Sequence, residues 1–585
     1  MAPIRTRGSE PLVAPRPSRR RRRGAIIVLA ALLMIVMMAV LAMSIDTGYM
    51  YTMQTQLDRS VDAAALAGAA VLIEGTEAAH EQVLEYLVRN PVGKQAVAVT
   101  EENLGELTAR FVSEHANDYE ILWGDWNAAS GQITPTDTLP SAVSVSMTYP
   151  NLPFFFGRVL GHNTFAVHSS AVAMYQPRDI VVVLDFSGSM NDDSELKSIN
   201  TFGLDAIMGG LAEMYSELGS PEYGNMVFEP QYITVAGAGN PMISVEYRYR
   251  SVYVTSEKPL QNVVLRFSDG STQKTTISSG ATTGTFAGTG SKAGKAIYRV
   301  WVKSDNNLSG EGYDYGEGFN FGTSTIRATI KTALGLNDVP YPYPSGSWNA
   351  FIDYGRSNST NKSAGFEYRF GYANLINYWL EQQASYAKTP DLWKVSAQPV
   401  TALKDAVNVF MDYIREVDTN DRVSLVIYDA LDGNAVVEVG LTTNLDLVPQ
   451  ITRQRQASHY HNYTNIGAGM QKARQELTAR GRENAFKMIV LMTDGKANWY
   501  NGTYNEAAAE SQVLSEAHAD AALRYPVVAI SLGAGADTAL MAQVAEITKS
   551  RHFNVPGGAV LGDYREGLIQ VFREIADARP LKLVQ

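Results

Sequence analysis

Five consecutive apolar residues, Ile180 to Leu184, lie between two aspartates in the stretch DIVVVLDFSGSM, which runs from Asp179 to Met190. Most are β-branched and none alternates with a polar residue, which predicts a strand buried on both faces, as in a parallel α/β sheet. Ligands of such sheets bind beyond the carboxyl ends of the strands. Asp185, Ser187 and Ser189 are therefore expected together on one loop at the functional end. Their side chains offer only oxygen, the donor that hard divalent cations take. Mg2+ wants about six oxygens and commonly keeps waters or an outside acid among them.

A second apolar run, Phe486 to Met492, ends in Thr493-Asp494-Gly495 and supplies another carboxylate at a strand end. Between the two runs lies Tyr463-Thr464-Asn465-Ile466-Gly467-Ala468-Gly469-Met470, a loop entering a helix with Thr464 at its mouth. D-x-S-x-S, a T-N-I-G-A-G loop and a strand ending in T-D-G together resemble the von Willebrand factor A (vWA) domain. That resemblance implies a metal-ion-dependent adhesion site whose direct or water-mediated ligands are Asp185, Ser187, Ser189, Thr464 and Asp494. Mg2+ is the implied cofactor, with Mn2+ or Ca2+ as alternatives. With two carboxylates and otherwise neutral hydroxyls, the ion stays electrophilic and can accept a partner's carboxylate as its last ligand. Hydrolysis would need a positioned base. His459 and His461, in the loop before Thr464, have no evident companion acid or nucleophile, so they read as ordinary loop residues and no enzyme is expected.

The charge is uneven. Residues 1–23 carry eight Arg and one Glu, a balance of +7, which leaves −18 on the rest of a chain of net charge −11. An acidic body argues against nucleic acid as the partner of the folded part. The chain has no cysteine, which excludes disulfides, thiolate metal sites and cysteine nucleophiles. Arg19 to Arg23 abut about 22 uncharged residues, Gly24 to Ile45, long enough to span a bilayer as a helix. The positive-inside rule keeps the N-terminus cytoplasmic and puts everything after Ile45 across the membrane. A cleaved signal peptide, with Ala42-Met43-Ser44 as its cleavage site, is the rival reading.

Asp46-Thr47-Gly48-Tyr49 follows, and then Met53 to Ala70 with Leu57, Val61, Ala64, Ala65 and Gly68 at helical spacing. Its small residues suit either a continuation of the membrane helix that packs on its own domain or lateral packing against similar helices. The arginine-rich start, single span, D-x-G-Y and the run from Asp62 to Gly68 resemble the N-terminus of TadG-like proteins of the tight-adherence (Tad/Flp) pilus assembly system. In that family the hydrophobic segment is pilin-like, and some members carry a vWA domain downstream. Residues 46–175 read as this N-terminal helix plus a small α+β region, with helices at Ala78 to Val88 and Glu102 to His115 and strands at Ala142 to Thr148 and Phe165 to Tyr175. Phe154-Phe155-Phe156, within Leu152 to Leu160, is either core or a surface that meets membrane or pilin.

The vWA pattern is interrupted. Its first part is residues 176–190, and it resumes at 398–580 with a helix from Pro399 to Val417 and a second strand from Arg422 to Tyr428. Residues 191–397 form an insertion. About 228–305 of it alternates in short segments between Ser/Thr/Gly turns, the signature of a β-sandwich. About 310–397 is helical and rich in Tyr and Trp, which serve as core or as a partner surface. From Arg422 onward, strands and helices alternate in a way that forces a mostly parallel sheet with helices on both faces. The expected fold is thus α/β, a doubly wound vWA/Rossmann-like sheet interrupted by the insertion, behind a single transmembrane helix and a small α+β domain. No C-terminal anchor is expected after the last helix.

The function these readings imply is that of a membrane-anchored pilus assembly or adhesion-type protein. Its extracytoplasmic vWA domain would bind an acidic group of a protein partner or surface ligand through the metal, in the cell membrane on the periplasmic side or at the cell surface. The alternative is a structural pilin-like subunit, polymerised through its N-terminal helix, in which the metal only stabilises the domain.

Overall fold

The computed structural model describes residues 23–72, 75–93, 98–127, 131–136, 140–304, 316–417, 420–429, 435–483, 485–578 and 580–584. The basic tail other than Arg23, and residues 310–315 at the start of the aromatic stretch, lie outside these. The chain divides into two compact units, residues 1–175 with 581–585, and residues 176–580.

The first unit is built on one helix, α1 (Arg23–Ala70), of 48 residues. The span and the helical pattern after it join without a break, so α1 is the continuation of the membrane helix that the sequence allows. Asp46, Thr47 and Gly48 do not stop it, because no proline intervenes and the residues on either side are good helix formers. Ala42-Met43-Ser44 therefore lies inside a continuous helix. The N-terminal part of α1 is apolar and exposed, and it is the one described helix long and apolar enough to cross a membrane. The C-terminal part buries Met53, Leu57, Val61, Ala64, Ala65 and Ala69 in the unit's own core. Its small residues serve a close approach: a Cβ on Gly68 would lie 2.4 Å from Val83 Cγ2 on α2 (Thr76–Arg89).

After α2 come α3 (Leu104–Glu114) and strands β1 (Tyr119–Asn127), β2 (Gln132–Pro135), β3 (Ala142–Pro153) and β4 (Thr164–Tyr175). They form an antiparallel sheet in the order β2-β1-β3-β4, extended at the β4 edge by a strand from the far end of the chain, Leu581–Leu583.

In the second unit, β5 (Arg178–Asp185) is buried along its whole length. The chain returns after the insertion as α4 (Val400–Val417), β6 (Arg422–Tyr428), β7 (Val436–Thr442), α5 (Leu447–Arg453), α6 (Ile466–Arg480), β8 (Phe486–Thr493), α7 (Glu506–Ala522), β9 (Val527–Leu532), α8 (Thr538–Ile547), β10 (His552–Val555) and α9 (Arg565–Asp577). The sheet order is β7-β6-β5-β8-β9-β10, parallel except for β7 at the edge. Alternate residues of β5 feed two cores. Ile180, Val182 and Leu184 pack with Leu403, Phe410, Ile414, Leu568 and Phe572 of α4 and α9, while Val181 and Val183 pack with Met470, Ala473 and Val513 of α6 and α7. Each such aliphatic side chain contributes up to about 1.5–3 kcal/mol by leaving water.

The insertion holds two antiparallel sheets. One runs Thr272–Thr276, Leu260–Phe267, Ile297–Ser304, Glu317–Asn320; the other runs Thr283–Ala287, Ser251–Ser256, Ile243–Tyr247, Gln231–Ala236, Arg369–Phe370. The second sheet thus recruits a strand from the aromatic part. Helices Trp348–Ser357 and Tyr372–Gln382 bury Trp348, Phe351, Tyr354, Tyr372, Tyr378 and Trp379, so these aromatics are core. The insertion is not walled off. Its apolar cluster is continuous with the α4 side of the sheet, and its two ends meet where the Gln398 N–H donates to Ser194 Oγ (2.8 Å).

Candidate metal centre

Asp185 is the last residue of β5, and its neighbours on both sides reach across to it. Its Oδ1 accepts from the Ser187 N–H (2.8 Å), which folds the D-x-S-x-S loop back over the strand end. Its Oδ2 accepts from Thr493 Oγ1 at the end of β8 (2.8 Å). Tyr428 Oη, at the end of β6, stands 3.3 Å from Oδ2 and donates to the Met492 carbonyl (2.6 Å). Ser187 Oγ and Ser189 Oγ are 3.0 Å apart, and Ser189 Oγ donates to Asp494 Oδ1 (2.6 Å). A hydroxyl whose hydrogen is committed to a carboxylate keeps its lone pairs for another partner.

Thr464 enters from the α6 side. Its N–H donates to Asn498 Oδ1 (2.9 Å) and its carbonyl accepts from the Asn498 N–H (3.0 Å). Asn465 caps α6 through Ala468 N–H (3.2 Å). The helix lies so close to the sheet that a Cβ on Gly469 would come within 2.8 Å of Tyr428 Cδ1 and Val183 Cγ1. A Cβ on Gly495 would stand 3.4 Å from Ser189 Oγ and 3.6 Å from Thr464 Oγ1, so these two hydroxyls converge on one point. All five residues named from the sequence therefore meet at one end of the sheet, although more than 200 residues of insertion separate the first three from the others. The loop before Thr464 braces the arrangement: Asn462 O accepts from the Gly188 N–H (3.1 Å) and Phe186 O from the Ser458 N–H (2.7 Å).

Electrostatically the centre is unfinished. Asp185 and Asp494 are buried. Burial raises the pKa of Asp185, and burial followed by the Asp185 charge raises that of Asp494 well above the ordinary carboxylate value. No described Lys, Arg or His is ion-paired with either. Asp429, directly after β6, is a third buried carboxylate, raised by burial and by Asp185, and held by the Tyr460 N–H (2.9 Å). Among the described residues no group of three or more His, Asp or Glu is arranged to hold a metal. The oxygen set here is of another kind, two carboxylates and three hydroxyls, and it fits a hard divalent ion.

Sequence reasoning missed Tyr428, Thr493 and Asp429. The signal available was position: each stands at or just beyond the carboxyl end of a strand that pairs with β5 or follows from that pairing. His459 and His461 are packing residues. His459 lies against Tyr386 and Tyr460, and burial, then the Arg455 charge, lowers its pKa to about 4. His461 stacks on Tyr463, which stacks on Trp499 at 4.1 Å.

Comparison with known proteins follows the same division. The von Willebrand factor type A domain family matches residues 393–565, a range that contains Thr464 and Asp494 but begins after β5. The family "Putative Flp pilus-assembly TadE/G-like" matches residues 24–71, and "Putative Tad-like Flp pilus-assembly" matches 67–173. None of these is an enzyme family. No curated protein sequence matches the chain significantly. Among solved structures, an aerotolerance-related membrane protein from Bacteroides fragilis is 16% identical over 30% of this chain and 90% of its own, with a TM-score of 0.23. The pilus adhesin SpaC from Lactobacillus rhamnosus GG is 15% identical over 30% of this chain and 27% of its own, with a TM-score of 0.24. The manganese-loaded TRAP protein of Plasmodium vivax is 17% identical over 32% of this chain and 68% of its own, with a TM-score of 0.22. With two Tad-type segments at its N-terminal end and a vWA domain in its C-terminal half, the chain matches a TadG-like Flp pilus-assembly protein that carries a vWA domain.

Proposed function

We propose that this protein is a non-enzymatic, membrane-anchored component of a pilus assembly, and that its vWA domain grips an acidic group of a protein partner or surface ligand through a divalent metal. The observation that carries the reading is the pair of buried carboxylates, Asp185 and Asp494, joined to the serine hydroxyls and paired with no described cationic side chain. Asp185, Ser187, Ser189, Thr464 and Asp494 would hold Mg2+, or Mn2+ or Ca2+ in its place. The ion would supply a positive pole that a partner's carboxylate completes. Next to Thr464, half-buried Tyr463 has its ring 6.2 Å from that of exposed Tyr504, an aromatic pair suited to a protein surface. The N-terminus would be cytoplasmic and the two folded units extracytoplasmic.

The test is calorimetric titration of Mg2+ and Mn2+ into the chelator-treated full chain in detergent. Saturable binding is expected, lost in Asp185→Ala, Thr464→Ala and Asp494→Ala. Binding that survives all three substitutions would overturn the assignment.

The continuous α1, half exposed and half embedded in its own sheet, favours a second reading as a pilin-like structural subunit. N-terminal sequencing of protein purified from membranes separates the two, since a mature start near Gly24 belongs to the subunit alone.

A further inference from the structure

The uncharged part of α1, Gly24 to Ile45, is about 33 Å long at 1.5 Å per residue, close to the roughly 30 Å of a bilayer's hydrocarbon core. The next residue, Asp46, is a buried carboxylate on an otherwise exposed stretch of helix, and a remote loop buries it. Backbone N–H groups of three consecutive residues donate to it: Phe155 (2.9 Å), Phe156 (3.1 Å to Oδ2) and Gly157 (2.7 Å). Charge-assisted bonds of this kind are among the stronger ones. They tie the loop after β3 to α1 at the level where the apolar span ends.

The same loop turns three apolar side chains outward. Phe155 is 61% exposed, Phe156 43% and Val159 86%, and Arg158 between them is exposed as well. Phe154 points the other way, its ring 4.9 Å from that of Phe165, while Tyr49 on α1 meets Phe155 edge-on at 4.9 Å. Exposed Met43, Met50 and Tyr51 continue the apolar surface along the helix. An exposed cluster of this kind marks an interaction site. Its continuity with the spanning segment names the occupant.

We propose that the loop Phe154–Leu160 is a second membrane anchor. Phe155, Phe156 and Val159 enter the boundary between headgroups and acyl chains of a phospholipid bilayer, on the side where α1 emerges, and Arg158 faces the lipid phosphates. Asp46 acts as the clamp that sets the loop's depth. The first unit is then seated on the bilayer at two points rather than hinged on one helix.

Because the chain has no cysteine, a single introduced one is a unique labelling site. Val159→Cys, Met43→Cys and Glu120→Cys are each spin-labelled in the full chain and placed in phospholipid nanodiscs at one copy per disc. Collision with oxygen is then compared with collision with a water-soluble nickel chelate. The oxygen-to-nickel ratio at Val159 is expected to be several-fold above that at Glu120 and close to that at Met43, and to fall toward the Glu120 value when Asp46→Ala is added. A ratio at Val159 equal to that at Glu120 overturns the proposal. So does a high ratio that appears only when two or more copies share a disc, because a neighbouring chain would then be what covers the loop.

Discussion

Strand β5 has a buried aspartate near each end, and the two are provided for differently. Asp179 accepts from Arg422 Nε and Nη2 (2.9 and 2.8 Å), from Arg482 Nε and Nη2 (3.0 and 2.7 Å) and from the Arg482 N–H (2.6 Å). Beside it, buried Arg178 pairs with Asp421 at 2.7 Å. Burial alone would raise the Asp179 carboxyl, but the two guanidiniums bring it below its ordinary value. Asp185, one step past Leu184, is just as buried and receives only neutral donors, so its carboxyl moves up. One residue type, on one strand, at one depth, thus makes a finished clamp at the amino end and an open demand for positive charge at the carboxyl end. A fold that neutralises a carboxylate six residues away and does not do so here leaves Asp185 as the carboxylate on which the proposed metal site rests.

The comparison breaks most sharply at the clamp. Asp179→Ala leaves Arg422 and Arg482 without their shared partner, and the loss of a largely buried pair costs about 3–5 kcal/mol. Arg422 and Arg482 keep some solvent contact, so the lower end is expected, read as a fall in the denaturation midpoint of the full chain with Mg2+ affinity of the folded protein unchanged. Asp185→Asn removes a charge that nothing described neutralises, and the metal-free protein should stay within about 1 kcal/mol of wild type. What it loses is the response to metal. Mg2+ at 100 times its dissociation constant stabilises a one-site protein by about 2.7 kcal/mol, and the variant should gain none.

A pH series sharpens the same contrast. Asp179 has a folded pKa below the unfolded value near 3.8, so its contribution is fully present above about pH 4 and is lost as the pH falls through the folded value. Asp179→Asn should therefore flatten the acid side of the stability profile and leave its slope above pH 5 unchanged. His459 supplies an internal control. Its pKa falls to about 4 on folding, so its contribution is present above about pH 6.5 and fades between there and pH 4 in both proteins. An acid arm equally steep in wild type and variant would mean that the arginines do not hold Asp179 ionised.

The open end was far more legible in the sequence than the clamp. Asp185, Ser187, Ser189, Thr464 and Asp494 sit in short local patterns whose donor chemistry is visible without knowing the fold, and strand ends are where parallel sheets place such groups. Asp179 and Arg422 lie at strand starts and Arg482 in the turn before β8, none in a motif, and only the parallel register sets Asp179 beside Arg422. The same limit hid β1, broken in pattern by Gly124 and Asp125, and the strand Leu581–Leu583, whose three residues mean nothing until β4 offers an edge. The continuity of α1 was one of two readings the sequence left open, and the sequence does not show what permits it. Asp46 looks like the end of a helix, and only the three N–H groups of a loop more than 100 residues away make a buried aspartate tolerable within one.

The finest test of the open end leaves both charges in place. Gly495 stands where a methyl group would sit 3.4 Å from Ser189 Oγ and 3.6 Å from Thr464 Oγ1, ordinary contact distances. Gly495→Ala should therefore fold with a stability change of about 0.5 kcal/mol or less. If those hydroxyls point into the space an ion occupies, the methyl crowds that space from one side, and Mg2+ affinity should fall by up to about tenfold, or about 1.4 kcal/mol. Asp185 and Asp494 would still bind, so the loss is partial where that of Asp185→Asn is complete. An affinity equal to wild type, measured beside a Thr464→Ala variant that does weaken binding, would mean that Thr464 acts from a direction Gly495 does not border, with its oxygen reaching the ion through water.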